Sequence, residues 1–172
     1  MAYLDSKPAR FVLNLPDMPT VEAEVRGLYQ RIIDAWNHQS ARDFAAQFVD
    51  AGHIVGFDGS QADSATEIEA HLGGVFGNHQ TASYVPKVRG VQPIADGTAL
   101  LRAVVGMVPP GGSDINPAVN SIQTLVACAS DGGTWKAVLL QSTPAAFHGR
   151  PDLAEALTQE LRALLPQTAR VQ

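Results

Sequence analysis

The sequence predicts an α+β domain in which helices gather on one side of an antiparallel sheet. Three observations carry that expectation. Amphipathic helical spacing dominates the first half, alternating strands joined by Gly-containing turns dominate the second, and no helix separates those strands. Strands that succeed one another through tight turns pair antiparallel, so a parallel doubly wound sheet is disfavoured. The 172 residues suit a single domain, and 45% hydrophobic with 17% charged residues is ordinary globular usage.

Residues 1–19 read as an N-terminal extended arm, because Pro8, Pro16 and Pro19 oppose a helix among scattered apolar residues. The pattern leaves open whether the arm is disordered or lies across its own domain or a partner subunit. Thr20 then reads as a helix cap with Glu22 and Glu24 in the first turn, where the helix dipole favours them. Val21, Val25, Leu28, Tyr29, Ile32, Ile33 and Trp36 recur at helical spacing as far as about His38. Ser40 caps a second helix whose apolar face is Phe44, Ala45 and Phe48. His53 to Asp58 is a short strand ending at the turn Asp58-Gly59-Ser60.

Ser64-Ala-Thr-Glu67 is a capping box, and it opens a helix with Ile68, Leu72, Val75 and Phe76 on one face. Strands follow over Ser83–Ile94, Thr98–Val108, Asn120–Ala129 and Thr134–Gln141; Pro86 and Pro93 place the first at an edge or a bend. Asp152 to Leu165 reads as a closing helix, with Pro151 near its first turn and Pro166 beyond its end. The main domain is therefore expected over residues 20–146, with residues 147–172 a C-terminal helical extension.

Composition excludes several function classes. A net charge of −5 with no Lys/Arg-rich run repels a phosphate backbone, so no nucleic-acid partner is expected. No apolar run approaches the roughly 20 residues that span a bilayer, and the first residues lack a signal-peptide pattern. A cytoplasmic protein without a membrane partner is the expectation. The single cysteine, Cys128, permits no intrachain disulfide and reads as a small core residue. The five histidines show neither H-x-H nor H-E-x-x-H spacing, so no metal site is expected. No glycine-rich dinucleotide fingerprint follows a strand, so no cofactor is expected either.

Four stretches together resemble one family. They are Ile33-Asp-Ala-Trp36-Asn37 followed by Asp43-Phe-Ala-Ala; Phe57-Asp58-Gly59; Ile68-Glu-Ala-His71-Leu72 with Phe76; and Asp131-Gly-Gly-Thr-Trp135-Lys136 running to Gln141-Ser-Thr143-Pro144. In order and spacing they resemble the SgcJ/EcaC family of the SnoaL-like superfamily, also described as nuclear-transport-factor-like or cystatin-like. The resemblance spans about Val21 to Pro144. It implies a curved antiparallel sheet wrapped around the N-terminal helices as a cone with a central pocket, and a homodimer formed through the sheet. It also implies a choice of functions, since the superfamily holds polyketide cyclases, ketosteroid isomerases and dehydratases beside non-catalytic domains.

Those relatives remove an acidic C–H proton with a carboxylate and stabilise the enolate with a hydrogen-bond donor. Asp96, Asp114 and Asp131 sit in turns, where a structural role is expected. Asp58 and His71 are the catalytic candidates, each with a bland alternative: a turn-former before Gly59 and a satisfied structural histidine. Trp36, Phe44, Phe48, Phe57, Phe76 and Trp135 are the candidate apolar wall. Arg102 stands in an apolar strand; facing inward it would need an anionic ligand, facing outward it is merely solvated. Strict alternation puts Trp135, Ala137, Leu139, Gln141 and Thr143 on one face, making Gln141 and Thr143 candidates for the pocket mouth, joined by Gln123. The expected function is binding of a small, largely apolar organic molecule. If the site is catalytic, the expected chemistry is cofactor-independent isomerisation, cyclisation or dehydration. The competing expectation is a non-catalytic assembly or partner-binding domain that uses its sheet face.

Overall fold

The protein is described from a computed structural model that covers residues 20–166; the expected N-terminal arm lies outside the described residues, as do residues 167–172. Helix α1 (Val21–Asn37) starts where the Thr20 side chain accepts the Ala23 amide, as its cap position requires. It buries Val25, Leu28, Tyr29, Ile32 and Ile33. Helix α2 (Ala41–Ala45) is capped by Ser40 and is shorter than its apolar pattern suggested. Phe48 is not on it; that residue opens β1 (Phe48–Val55). A two-residue strand β2 (Gln61–Ala62) precedes α3 (Ala65–Asn78). There Ser64 accepts the Glu67 amide, while the Glu67 carboxylate reaches back to the amide of Asp63.

The remaining strands are β3 (Ser83–Ala95), β4 (Thr98–Val108), β5 (Ser121–Ala129) and β6 (Trp135–Pro144), followed by α4 (Pro151–Arg162). All six strands form one sheet in the order β2-β1-β6-β5-β4-β3. Its pairings are antiparallel with one exception: β1 runs parallel to β6, which makes the sheet mixed rather than wholly antiparallel. The long crossover through α3 and the hairpins between β1 and β6 is what a parallel pair needs. β3 forms an edge, where Pro86 and Pro93 cost no ladder bond on the open side.

One sheet face carries Leu101, Ala103, Leu125 and Ala127, each fully buried, and packs against α1, α2 and α3 as the main core. Val104, of opposite parity, packs with Ile115, Leu157 and Leu161 in a second cluster, so α4 lies on the other face. On that outer face Glu160 meets Arg89 at 2.5 and 2.7 Å and Lys87 at 2.7 Å. Among the described residues no helix is long and apolar enough to cross a membrane.

Candidate functional site

Between the first three helices and the sheet lies a cavity of about 270 Å³. Its aromatic wall is built by neighbours that hold one another. The Trp36 indole N–H donates to the Ala82 carbonyl at 2.9 Å, and its ring stacks on Tyr84 with centroids 4.7 Å apart and planes 16° apart. Asn37 fixes the same strand, its Oδ1 accepting the Tyr84 amide at 2.7 Å and its amide donating to the Tyr84 carbonyl at 3.1 Å. Phe44 and Phe57 complete the wall, with Met107 and Leu140 from the sheet.

The polar floor comes from one buried network. The Tyr29 hydroxyl donates to Gln123 Oε1 at 2.7 Å, and Gln123 Nε2 donates to Ser142 Oγ at 3.1 Å. Burial pushes the Tyr29 and Tyr84 phenols well above their usual range, so both stay neutral at physiological pH. At the rim, Asp58 is exposed and its Oδ1 accepts from the Ser60 amide at 3.0 Å and the Ser60 hydroxyl at 2.7 Å. Those bonds hold the carboxyl below its ordinary value and keep it ionised. A Cβ on Gly56 would lie 2.6 Å from Ser60 Oγ and 2.8 Å from Asp58 Oδ1, so a side chain there would displace the hydrogen-bonded pair.

Six of the candidate residues share this cavity: Trp36, Phe44, Phe57, Asp58, His71 and Gln123. Asp58 and His71 are not hydrogen-bonded to each other, and the Asp58 carboxylate turns to solvent and Ser60, the turn-forming alternative. Phe48 and Phe76 stand behind the wall, Phe48 stacked on Phe44 at 5.4 Å and Phe76 edge-on to Trp36 at 5.4 Å. Trp135 is 7% exposed in the core and does not reach the cavity. Arg102 is exposed on the outer face, because its neighbours Leu101 and Ala103 take the inward positions.

Gln141 and Thr143 also face outward, and the cause is a β-bulge. Ala127 pairs with Ala137 but Val126 pairs with Leu139, so Val138 is an extra residue in β6. Beyond it the parity inverts, and Leu140 and Ser142 face the cavity instead. Among the lining residues that the sequence reading did not name as candidates are Tyr84, Met107, Leu140 and Ser142. Met107 continues the inward row of Ala99, Leu101, Ala103 and Val105, and it pairs with Tyr84; that alternation was a readable signal. Nothing local marks the bulge that selects Ser142. Among the described residues no group of acidic, histidine or cysteine side chains is placed to hold a metal ion.

No family model and no curated protein matches the chain. Solved structures do. A domain of unknown function with a cystatin-like fold from Nostoc punctiforme is 24% identical, with 77% of this chain and 82% of that one covered and a TM-score of 0.67. ActVI-ORFA from Streptomyces coelicolor is 16% identical, covering 72% and 96% with a TM-score of 0.58. A ketosteroid isomerase-like protein from Erwinia carotovora atroseptica is 14% identical, covering 72% and 95% with a TM-score of 0.57. The chain therefore has a cystatin-like α+β fold, with helices packed on a mixed six-stranded sheet. Identities this low show the fold alone.

Proposed function

We propose that the protein is a small-molecule-binding domain for a compact, largely apolar organic ligand. The observation that carries this reading is the cavity of about 270 Å³, walled by Trp36, Phe44, Phe57 and Tyr84 over the polar floor of Gln123 and Ser142. Apolar walls with a few convergent polar groups are what organic ligands select. Binding is favoured over acid–base turnover, because a carboxylate base needs a raised pKa and that of Asp58 is lowered. Placement in the SgcJ/EcaC family is the finer part of this proposal and rests on the motif order.

Methyl-detected NMR with indane as the probe tests the reading. Saturable shifts at Met107, Leu140, Leu72 and Val75 are expected. Shifts confined to Ile122 and Val126 on the outer face, or none at all, overturn it.

A second reading concerns assembly. Leu100, Val126 and Leu139 lie side by side on the outer face, and Ile122, which is 43% exposed, stands further along β5 beyond the row of Arg102, Thr124 and Gln141. We propose that this face pairs with a second copy of the chain, leaving α4 outside the contact. Light scattering is expected to give a dimer that Ile122→Asp converts to monomer. A monomeric parent protein at micromolar concentration sinks the idea.

A further inference from the structure

Burial fixes the direction of the hydrogen-bond chain under the cavity. Tyr29 is 2% exposed and does not itself line the cavity. Its hydroxyl has no partner among the described residues other than Gln123. A buried phenol proton without an acceptor is costly, so Tyr29 donates and Gln123 turns Oε1 toward it. The amide nitrogen is thereby aimed at Ser142, whose Oγ accepts. Ser142's own proton then has no acceptor among the described residues, on a side chain that lines the cavity. The reverse assignment, with Gln123 donating to Tyr29, would strand the Tyr29 proton instead.

Tyr84 supplies a second donor: it lines the same cavity, and its hydroxyl makes no hydrogen bond among the described residues. Neither phenol ionises near neutral pH, so neither becomes a pure acceptor. At the rim the ionised Asp58 opposes an anionic ligand.

We propose that Tyr29, from behind the wall, sets the polarity of the cavity floor so that the site selects an uncharged ring compound bearing a carbonyl oxygen, which accepts from Ser142 and Tyr84. This rests on the pocket reading above and adds to it the ligand class and a positioning residue.

The test compares 1-indanone with indane, identical ring skeletons that differ in the carbonyl oxygen, by calorimetry on the full chain. The parent protein is expected to bind the ketone about tenfold more tightly, the scale of one net hydrogen bond. Ser142→Ala is expected to reduce that ratio. Tyr29→Phe frees the Gln123 amide to turn, so that Ser142 donates to Oε1 rather than to ligand, and the ratio is expected to fall about as far as in Ser142→Ala. Should Tyr29→Phe fail to fold, Gln123→Glu puts an acceptor opposite Ser142 and predicts the same fall. Equal affinities in the parent overturn the donor floor while leaving the pocket reading intact. If neither compound binds, the pocket reading itself falls. A folded Tyr29→Phe or Gln123→Glu protein that keeps the parent ratio overturns the role of Tyr29.

Discussion

On the concave face Gln123, 1% exposed, is held by two neutral partners, Tyr29 and Ser142. On the outer face Glu160 is held by two cations, Arg89 and Lys87, whose side chains are 39% and 42% exposed. Both arrangements tie a helix to the same sheet, yet they stand in different solvents. Where water is excluded, ions would carry a desolvation cost, and uncharged donors and acceptors do the joining. Where water enters, charges are tolerated but each pair is screened and contributes little. The inner face is thus the one on which a polar group can discriminate between ligands, and the outer face is the one that answers to pH and salt.

The comparison breaks most visibly in the apolar layer. Leu101→Ala, fully buried beneath the helices, is expected to lose about 2–5 kcal/mol in denaturant unfolding, the range for truncating a packed leucine. Leu157→Ala, 7% exposed on the sheet-facing side of α4, is expected to cost less within that range and to leave the cavity methyl resonances in place. Cavity shifts in the Leu157 variant would mean that the two faces are not independent.

A smaller effect is expected at the second buried polar contact. Thr158, fully buried on α4, accepts the Asn120 amide at 2.8 Å and donates to the Ala154 carbonyl at 2.8 Å. Thr158→Val strands that amide, and Asn120 Oδ1 already lacks a partner among the described residues, so a loss of about 1–3 kcal/mol is expected from urea unfolding. An unchanged midpoint would mean that α4 relaxes away from the sheet.

The smallest effect at neutral pH is expected at Glu160. Arg89 and Lys87 hold its carboxyl at about 2, against an ordinary 4.5, so the folded state gains from this group above pH 4.5. That contribution is lost as pH falls from about 4.5 toward about 2. Glu160→Gln should flatten this acid limb of the stability profile and change stability at pH 7 by less than about 1 kcal/mol. An unaltered limb would assign the acid sensitivity to other carboxylates.

What was legible in the sequence follows from how local each cause is. The caps at Thr20, Ser40 and Ser64 depend on a hydroxyl and an amide three residues on, so they are read directly. The edge position of β3 follows from its prolines for the same reason. Arg102 could not be assigned a face because alternation gives two rows without saying which is inner; only packing against α1 decides. Phe48 fitted a helical spacing but went into β1, where pairing with Ala137 outweighed a weak helix end. Tyr29 was legible as a helix-face residue, whereas its partner Gln123 lies 94 positions away.

The Val138 bulge bears on how such a site changes by descent. Point substitutions can alter the Ser142 hydroxyl or the bulk of Leu140, but they keep the same positions in play. Deleting one codon at Val138 would instead return β6 to strict alternation and deliver Leu139, Gln141 and Thr143 to the interior in a single event. A serine floor would become an amide-and-threonine floor while every side chain stayed as encoded. For this fold, length variation within a strand is therefore a route to new ligand preference, and sequence comparisons that treat gaps as noise would overlook it.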